Sequence, residues 1–165
     1  MVIKDACEWL QDLSFPTEIR ESTWLFPTIE TVHVLALVLV IGSILMVDFR
    51  LLGIGNRARS VRSVTAQCLP LTWASFAVAA GAGCLLFSSK AVTYYGDFPF
   101  RLKMVCLVLA GINMAAFHLF GERDIERWDL PGASTPVAAK AAASISLVAW
   151  IAIVSLGRGT GFTMH

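Results

Sequence analysis

The sequence predicts an all-α integral membrane four-helix bundle with a short amphipathic interfacial helix at its N-terminus. Three observations carry that prediction. The chain is 56% hydrophobic and only 15% charged, against roughly 45–50% and about 25% in ordinary soluble domains. Its mean hydropathy is +0.69. The apolar residues gather in four blocks, about 25–47, 69–88, 102–120 and 137–157, each near the ~20 residues that cross a hydrocarbon core of about 30 Å. Four spans in 165 residues leave short loops and a single membrane domain.

The first residues, "MVIKDACEWLQDLSF", lack the basic start and continuous apolar run of a cleavable signal. Ile3, Ala6, Cys7, Leu10 and Leu13 instead recur at helical spacing among Lys4, Asp5, Glu8 and Asp12, so residues 2–15 read as a helix lying on the membrane surface. Span one starts at "FPT", where Pro27 is tolerated because the first turn of a helix has no use for its N–H. The loop after it carries Arg50, Arg57, Arg59 and Arg62 and no acid between them. Cytoplasmic loops are enriched in such charges, which predicts that this loop is cytoplasmic and that both termini lie on the outer side of the membrane. Span two, "LPLTWASFAVAAGAGCLLFSS", is rich in Ala, Gly and Ser, residues that let a helix or a flat cofactor approach the backbone; Gly81 and Gly83 are the expected contact points. Span four is similarly small-residued and suits packing inside the bundle or between subunits. Cys7, Cys68, Cys84 and Cys106 have no metal-site spacing and read as apolar filler. A net charge of +1 without basic clusters gives no sign of nucleic-acid binding.

Two spans hold residues that apolar helices carry only at a cost. Glu30 and His33 lie one turn apart in span one; span three opens with Arg101 and Lys103, holds Asn113 near its middle and ends near His118. Imidazoles inside an apolar helical bundle suit axial ligation of haem. A carboxylate such as Glu30 is a candidate acceptor for the ligand's second N–H, and Arg or Lys near the surface suits propionates. With span centres near residues 36 and 111, His33 and His118 differ in depth by roughly 15 Å. Axial nitrogens on one iron lie only ~4 Å apart, so two ligating histidines imply two haems. Arg101 and Lys103 would then serve an outer haem at His33, and Arg50 and Arg57 an inner one at His118.

The stretches "WLFPTIETVHVLALVLVIGSILMVDFRLLG", "LPLTWASFAVAAGAG" and "FRLKMVCLVLAGINMAAFH" resemble a family of small, uncharacterised bacterial four-span membrane proteins over roughly residues 24–157. More distantly, an early histidine in span one and an Arg/Lys-led span three ending in His are similar to membrane-bound bacterial protoporphyrinogen oxidases. That similarity implies haem b, with His33 and His118 as the matching ligands. Copper-resistance membrane proteins have a comparable layout.

The expectation is therefore a membrane protein carrying one or two b-type haems in electron transfer or a membrane redox reaction. It is expected to form a dimer or trimer and to meet a quinone or another small redox partner. Competing readings are a metal transporter, with Met46, Met104 and Met114 as soft ligands for copper; a di-iron bundle built on Glu30-x-x-His33, for which spans two and four supply no carboxylates; and a structural assembly protein in which Glu30 pairs with His33 or Lys103 to set helix register.

Overall fold

The computed structural model describes residues 2–54, 59–121, 125–129 and 134–163, all helix or short connection. Arg57 and His165 lie outside the described residues. In order these are α1 (Val2–Gln11), α2 (Ser14–Glu21), α3 (Leu25–Leu52), α4 (Val61–Ser89), α5 (Ala91–Gly96), α6 (Phe98–Ala116) continued by a π-helical turn (Phe117–Gly121), α7 (Ile125–Trp128) and α8 (Val137–Thr163). Four of them, at Leu25–Leu52, Val61–Ser89, Phe98–Leu119 and Val137–Gly161, are long and apolar enough to cross a membrane. The apolar blocks thus mark the spans, but the helices outrun them. α4 begins eight residues before Leu69 because Ser60 caps it, accepting from the Ser63 N–H at 3.1 Å. α3 continues to Leu52 and stops where Gly53 turns left-handed at φ 77°. α6 starts at an Asp97 cap, whose carboxylate accepts from the Phe100 N–H at 2.9 Å.

Burial along α4 follows one stripe. Cys68, Thr72, Ser75, Ala79, Ala82, Leu86 and Ser89 are buried at alternating steps of four and three, the period of a helix–helix seam. All but Leu86 are small, so α3 lies close against α4 along its length, and this is the most extensive packing in the molecule. Two side-chain bonds pin the pair: His33 Nδ1 meets the Ala79 carbonyl at 2.7 Å, and Ser43 Oγ meets Thr72 Oγ1 at 2.7 Å. α8 packs on α3 and on α6, and Asn113 Nδ2 donates to the Ala142 carbonyl at 3.0 Å across the α6–α8 contact. Around the bundle the order is therefore α4, α3, α8, α6. The ring closes only loosely: Phe87 of α4 stacks on Phe100 of α6, but the two helices have no extensive contact with each other. Val40, Ala110, Trp150 and Ile153 form the central apolar cluster from three of the helices.

The amphipathic N-terminal segment is longer than residues 2–15 and is anchored rather than simply laid on a surface. α1 packs on α5 and buries Cys7, while α2 buries Pro16 and Ile19. Arg20 explains the anchoring: its guanidinium donates to the Gln11 carbonyl at 3.3 Å and to the Ser89 carbonyl at 3.2 Å, closing the end of α4. Trp9 and Ile3 stay exposed on the other side of α1, as an interfacial helix requires.

At the opposite end Asp129 acts as a clamp. Its carboxylate accepts from the Val61 N–H at 2.7 Å and the Arg62 N–H at 2.9 Å, two donors that the first turn of α4 leaves without helical partners. It also pairs with Arg50 at 3.6 Å, both side chains being mostly shielded from solvent. Asp129→Ala should lower stability by about 1–2 kcal/mol, the scale of a lost helix cap, measured as the loss of helical signal on titrating the purified protein with SDS. Glu8→Ala, which breaks only the exposed Lys4–Glu8 pair, should leave the midpoint unchanged.

Candidate functional site

His33 sits in the third turn of α3 and points into the α3–α4 contact. A carbonyl only accepts, so the 2.7 Å approach of Nδ1 to the Ala79 oxygen places the proton on Nδ1. Nε2 then bears the lone pair, which is the arrangement of an imidazole prepared to bind a metal. The ring fits because residue 83 has no side chain: a Cβ there would stand 3.0 Å from His33 Cε1 and 3.4 Å from Nδ1. Gly83 is thus a contact point, whereas Gly81 is not, since nothing lies within 4 Å of where its Cβ would be. Two residues of a helix cannot share a face when they are two apart.

The surroundings of His33 revise the expected role of Glu30. That carboxylate lies on the exposed side of α3 and does not hold the imidazole, whose N–H is taken by Ala79. Among the described residues no ion pair joins Glu30 to Lys103. Lys103 is half-buried near His33, its Cδ 3.7 Å from where a Cβ on Gly157 would stand and its ammonium 5.0 Å from the centre of the Phe100 ring. Arg101 is exposed beside it. Phe87, Tyr94 and Phe100 stack nearby, with ring centres 5.1–6.3 Å apart. Burial, reinforced by the carboxylates of Glu30 and Asp97, pushes the Tyr94 phenol above its ordinary value and keeps it protonated.

His118 is at the other end. α6 widens there into the π-helical turn, an irregularity frequent at functional positions. Its Nδ1 donates to the Met114 carbonyl at 2.9 Å, and its ring lines the gap left between α4 and α6. That gap is a cleft of about 440 Å³, mostly apolar, walled by α4 and α6 and floored by α3 and α8. On α3 it runs from Val40 to Leu51, so His33 lies about 10 Å short of it along the helix. The two histidines occupy separate places.

Asp48 is the residue that the sequence reading passed over. It is 5% exposed, lines the cleft, and is reached by the side chain of Ser146 from α8, yet its Oδ2 has no hydrogen-bond partner. Thr65 Oγ1, across on α4, is also buried without one. The signal was present: Val40, Val47, Asp48 and Leu51 fall at helical spacing, which puts the acid on an apolar face. Arg50, expected near an inner ligand, is instead committed to Asp129 and to the Arg59 carbonyl. Asn113 borders the cleft but spends its amide on Ala142.

The family model of a family of unknown function, DUF6644, matches residues 20–163. The chain belongs to that family. No curated protein and no solved structure matches it. The match spans all four long helices together with His33, Asp48 and His118, so these features belong to the family domain, while α1 precedes it. It brings no activity and no link to haem oxidases or copper-resistance proteins.

Gly83→Ala should destabilise the protein by about 1–3 kcal/mol, because the new methyl overpacks the His33 ring. Gly81→Ala should be neutral or stabilise by up to about 1 kcal/mol, as expected for an unobstructed helical glycine. SDS unfolding of the two variants side by side checks both.

Proposed function

We propose that this membrane protein binds one b-type haem through His33 Nε2 and serves in electron transfer, with a quinol or another small lipid-soluble donor as its partner. One observation carries the reading: a half-buried imidazole at the α3–α4 seam whose Nδ1 proton is taken by a backbone carbonyl and whose ring is given space by a glycine. The helix tie through Nδ1 leaves the lone pair on Nε2, the nitrogen that a metal would take. Haem, when bound, supplies a reversible one-electron centre. Ala79 fixes the ligand's orientation and raises its basicity, and Lys103 and Arg101 offer cations to propionates at the same end.

The cleft at His118 suits haem less well. No Lys or Arg is among its lining residues, and it holds a carboxylate where propionates would need a cation. The reading is therefore one haem per chain at His33, not two. A place in the bacterial inner membrane, periplasmic termini and a homo-oligomer belong to the same proposal; the broad apolar face of α6, which buries Ala110 alone, is the surface available for a second copy. Soft-ligand copper gains nothing from the methionines, since Met46 and Met104 are both exposed and on different helices. Among the described residues no three His, Cys, Asp or Glu side chains gather, which removes support from the di-iron reading.

Protein purified from haem-sufficient cells should be red and show reduced-minus-oxidised b-type bands. His33→Ala should abolish them and His118→Ala should retain them. A colourless wild type, or haem kept by the His33 variant, would overturn the reading.

A further inference from the structure

The cleft between α4 and α6 is built for a ligand that the His33 site does not explain. Its lining is mostly aliphatic and aromatic, with Trp73 and Phe76 on α4, Phe117 on α6 and Trp150 on α8. Its volume, about 440 Å³, is in the range that takes a small organic molecule. It opens along the side where α4 and α6 have no extensive contact, a route from the lipid. Near the Leu51 end it carries a carboxyl group that is almost wholly buried, with one oxygen unmet by any donor.

A buried acceptor left unsatisfied costs free energy, and more if it is charged. The cost is recovered when a ligand brings a donor. Two kinds of amphiphile carry one on an apolar body, a protonated amine and a neutral hydroxyl compound. The amine would have to carry a full charge out of water into an apolar slot, a desolvation that only a fully ionised Asp48 could offset. A neutral O–H donor requires no such transfer. The aromatic walls favour a flat ring, and the lateral opening accommodates an alkyl tail among the lipids.

We propose that the α4–α6 cleft is a binding site for a lipid-soluble hydroquinone, with its ring among Trp73, Phe76 and Trp150 and one of its hydroxyls donating to Asp48. Ser146 of α8 lines the slot with Asp48, and His118 borders it with its Nδ1 already held by Met114. The assignment rests on the electron-transfer reading for what the ligand is used for, but not for its binding.

Binding is read by calorimetry on the full chain in lipid nanodiscs, with empty nanodiscs subtracted. The probes are a decyl-substituted hydroquinone, its dimethyl ether, which has the same shape and no donor, and decylamine. Wild type should bind the hydroquinone saturably, and at least about tenfold more tightly than the ether. Asp48→Leu should lose that preference; because it also removes an orphaned buried acid, its SDS midpoint should equal or exceed that of wild type, which verifies folding. Asp48→Asn, which keeps the shape and an acceptor but not a carboxylate, should fall between the two. Equal affinity for hydroquinone and ether, unchanged preference in Asp48→Leu, or tighter binding of decylamine than of hydroquinone would each overturn the proposal. The same titration on His33→Ala separates the two readings. Hydroquinone binding retained by His33→Ala shows that this site does not depend on haem, and the same binding by a wild type purified colourless leaves this site standing and removes the other. Haem retained by wild type without Asp48-dependent binding does the reverse.

Discussion

A neutral imidazole enclosed by apolar helices has one N–H that must be given an acceptor, and in this protein that acceptor is a backbone carbonyl of the neighbouring helix. The contact of His33 Nδ1 with Ala79 requires α3 and α4 to approach closely at one height and in one register. Gly83 permits the approach and the stripe of Thr72, Ser75, Ala79 and Ala82 extends it down the seam. Once α3 and α4 are joined in this way, Ser43 meets Thr72 and the ends of α3 and α4 come under the Asp129 clamp. Hydrogen bonds between membrane helices contribute only about 0.6 kcal/mol each on average, so register here comes from close packing, and the polar ties select among registers that packing alone would tolerate.

The same arrangement explains the cleft. α4 spends its small-residue face on α3, and α6 spends Asn113 and Ala110 on α8 and the central cluster. The two meet where Phe87 stacks on Phe100, but they have no extensive contact, and Trp73 and Phe76 on α4 line the gap. A bundle with three extensive contacts and one slight one presents a lateral opening to lipid, and Asp48 gives that opening a polar end. Site and fold are in this sense one solution: the fit of His33 against α4 leaves the space that His118 and Asp48 line.

Much of this was legible beforehand. Composition and the four apolar blocks specify the bundle, and His33, Gly83, His118 and Lys103 stand out because ionisable or very small residues are conspicuous in such helices. Other features were hidden for physical reasons. The acceptor of His33 is a main-chain carbonyl, which no residue type announces, so Glu30 seemed the better partner. Gly81 and Gly83 look equivalent in composition and differ only in the direction they face. Asp48 lies beside Arg50 in "DFR", where a charged residue passes for a helix end, whereas α3 runs a further turn to Gly53. Asp129 caps α4 from 68 positions away, a pairing that only the folded topology creates.

The central claim is that His33 is held as the Nδ1-protonated tautomer with Nε2 as its lone-pair nitrogen. Solid-state NMR of protein labelled with ¹⁵N-histidine, haem-free in bilayers, reads this directly, since protonated and bare ring nitrogens have well-separated shifts. His118→Ala and His165→Ala variants assign the signal. The account predicts a protonated Nδ1 hydrogen-bonded to a carbonyl and an unprotonated Nε2. A proton on Nε2, or a freely exchanging mixture of tautomers, would contradict it.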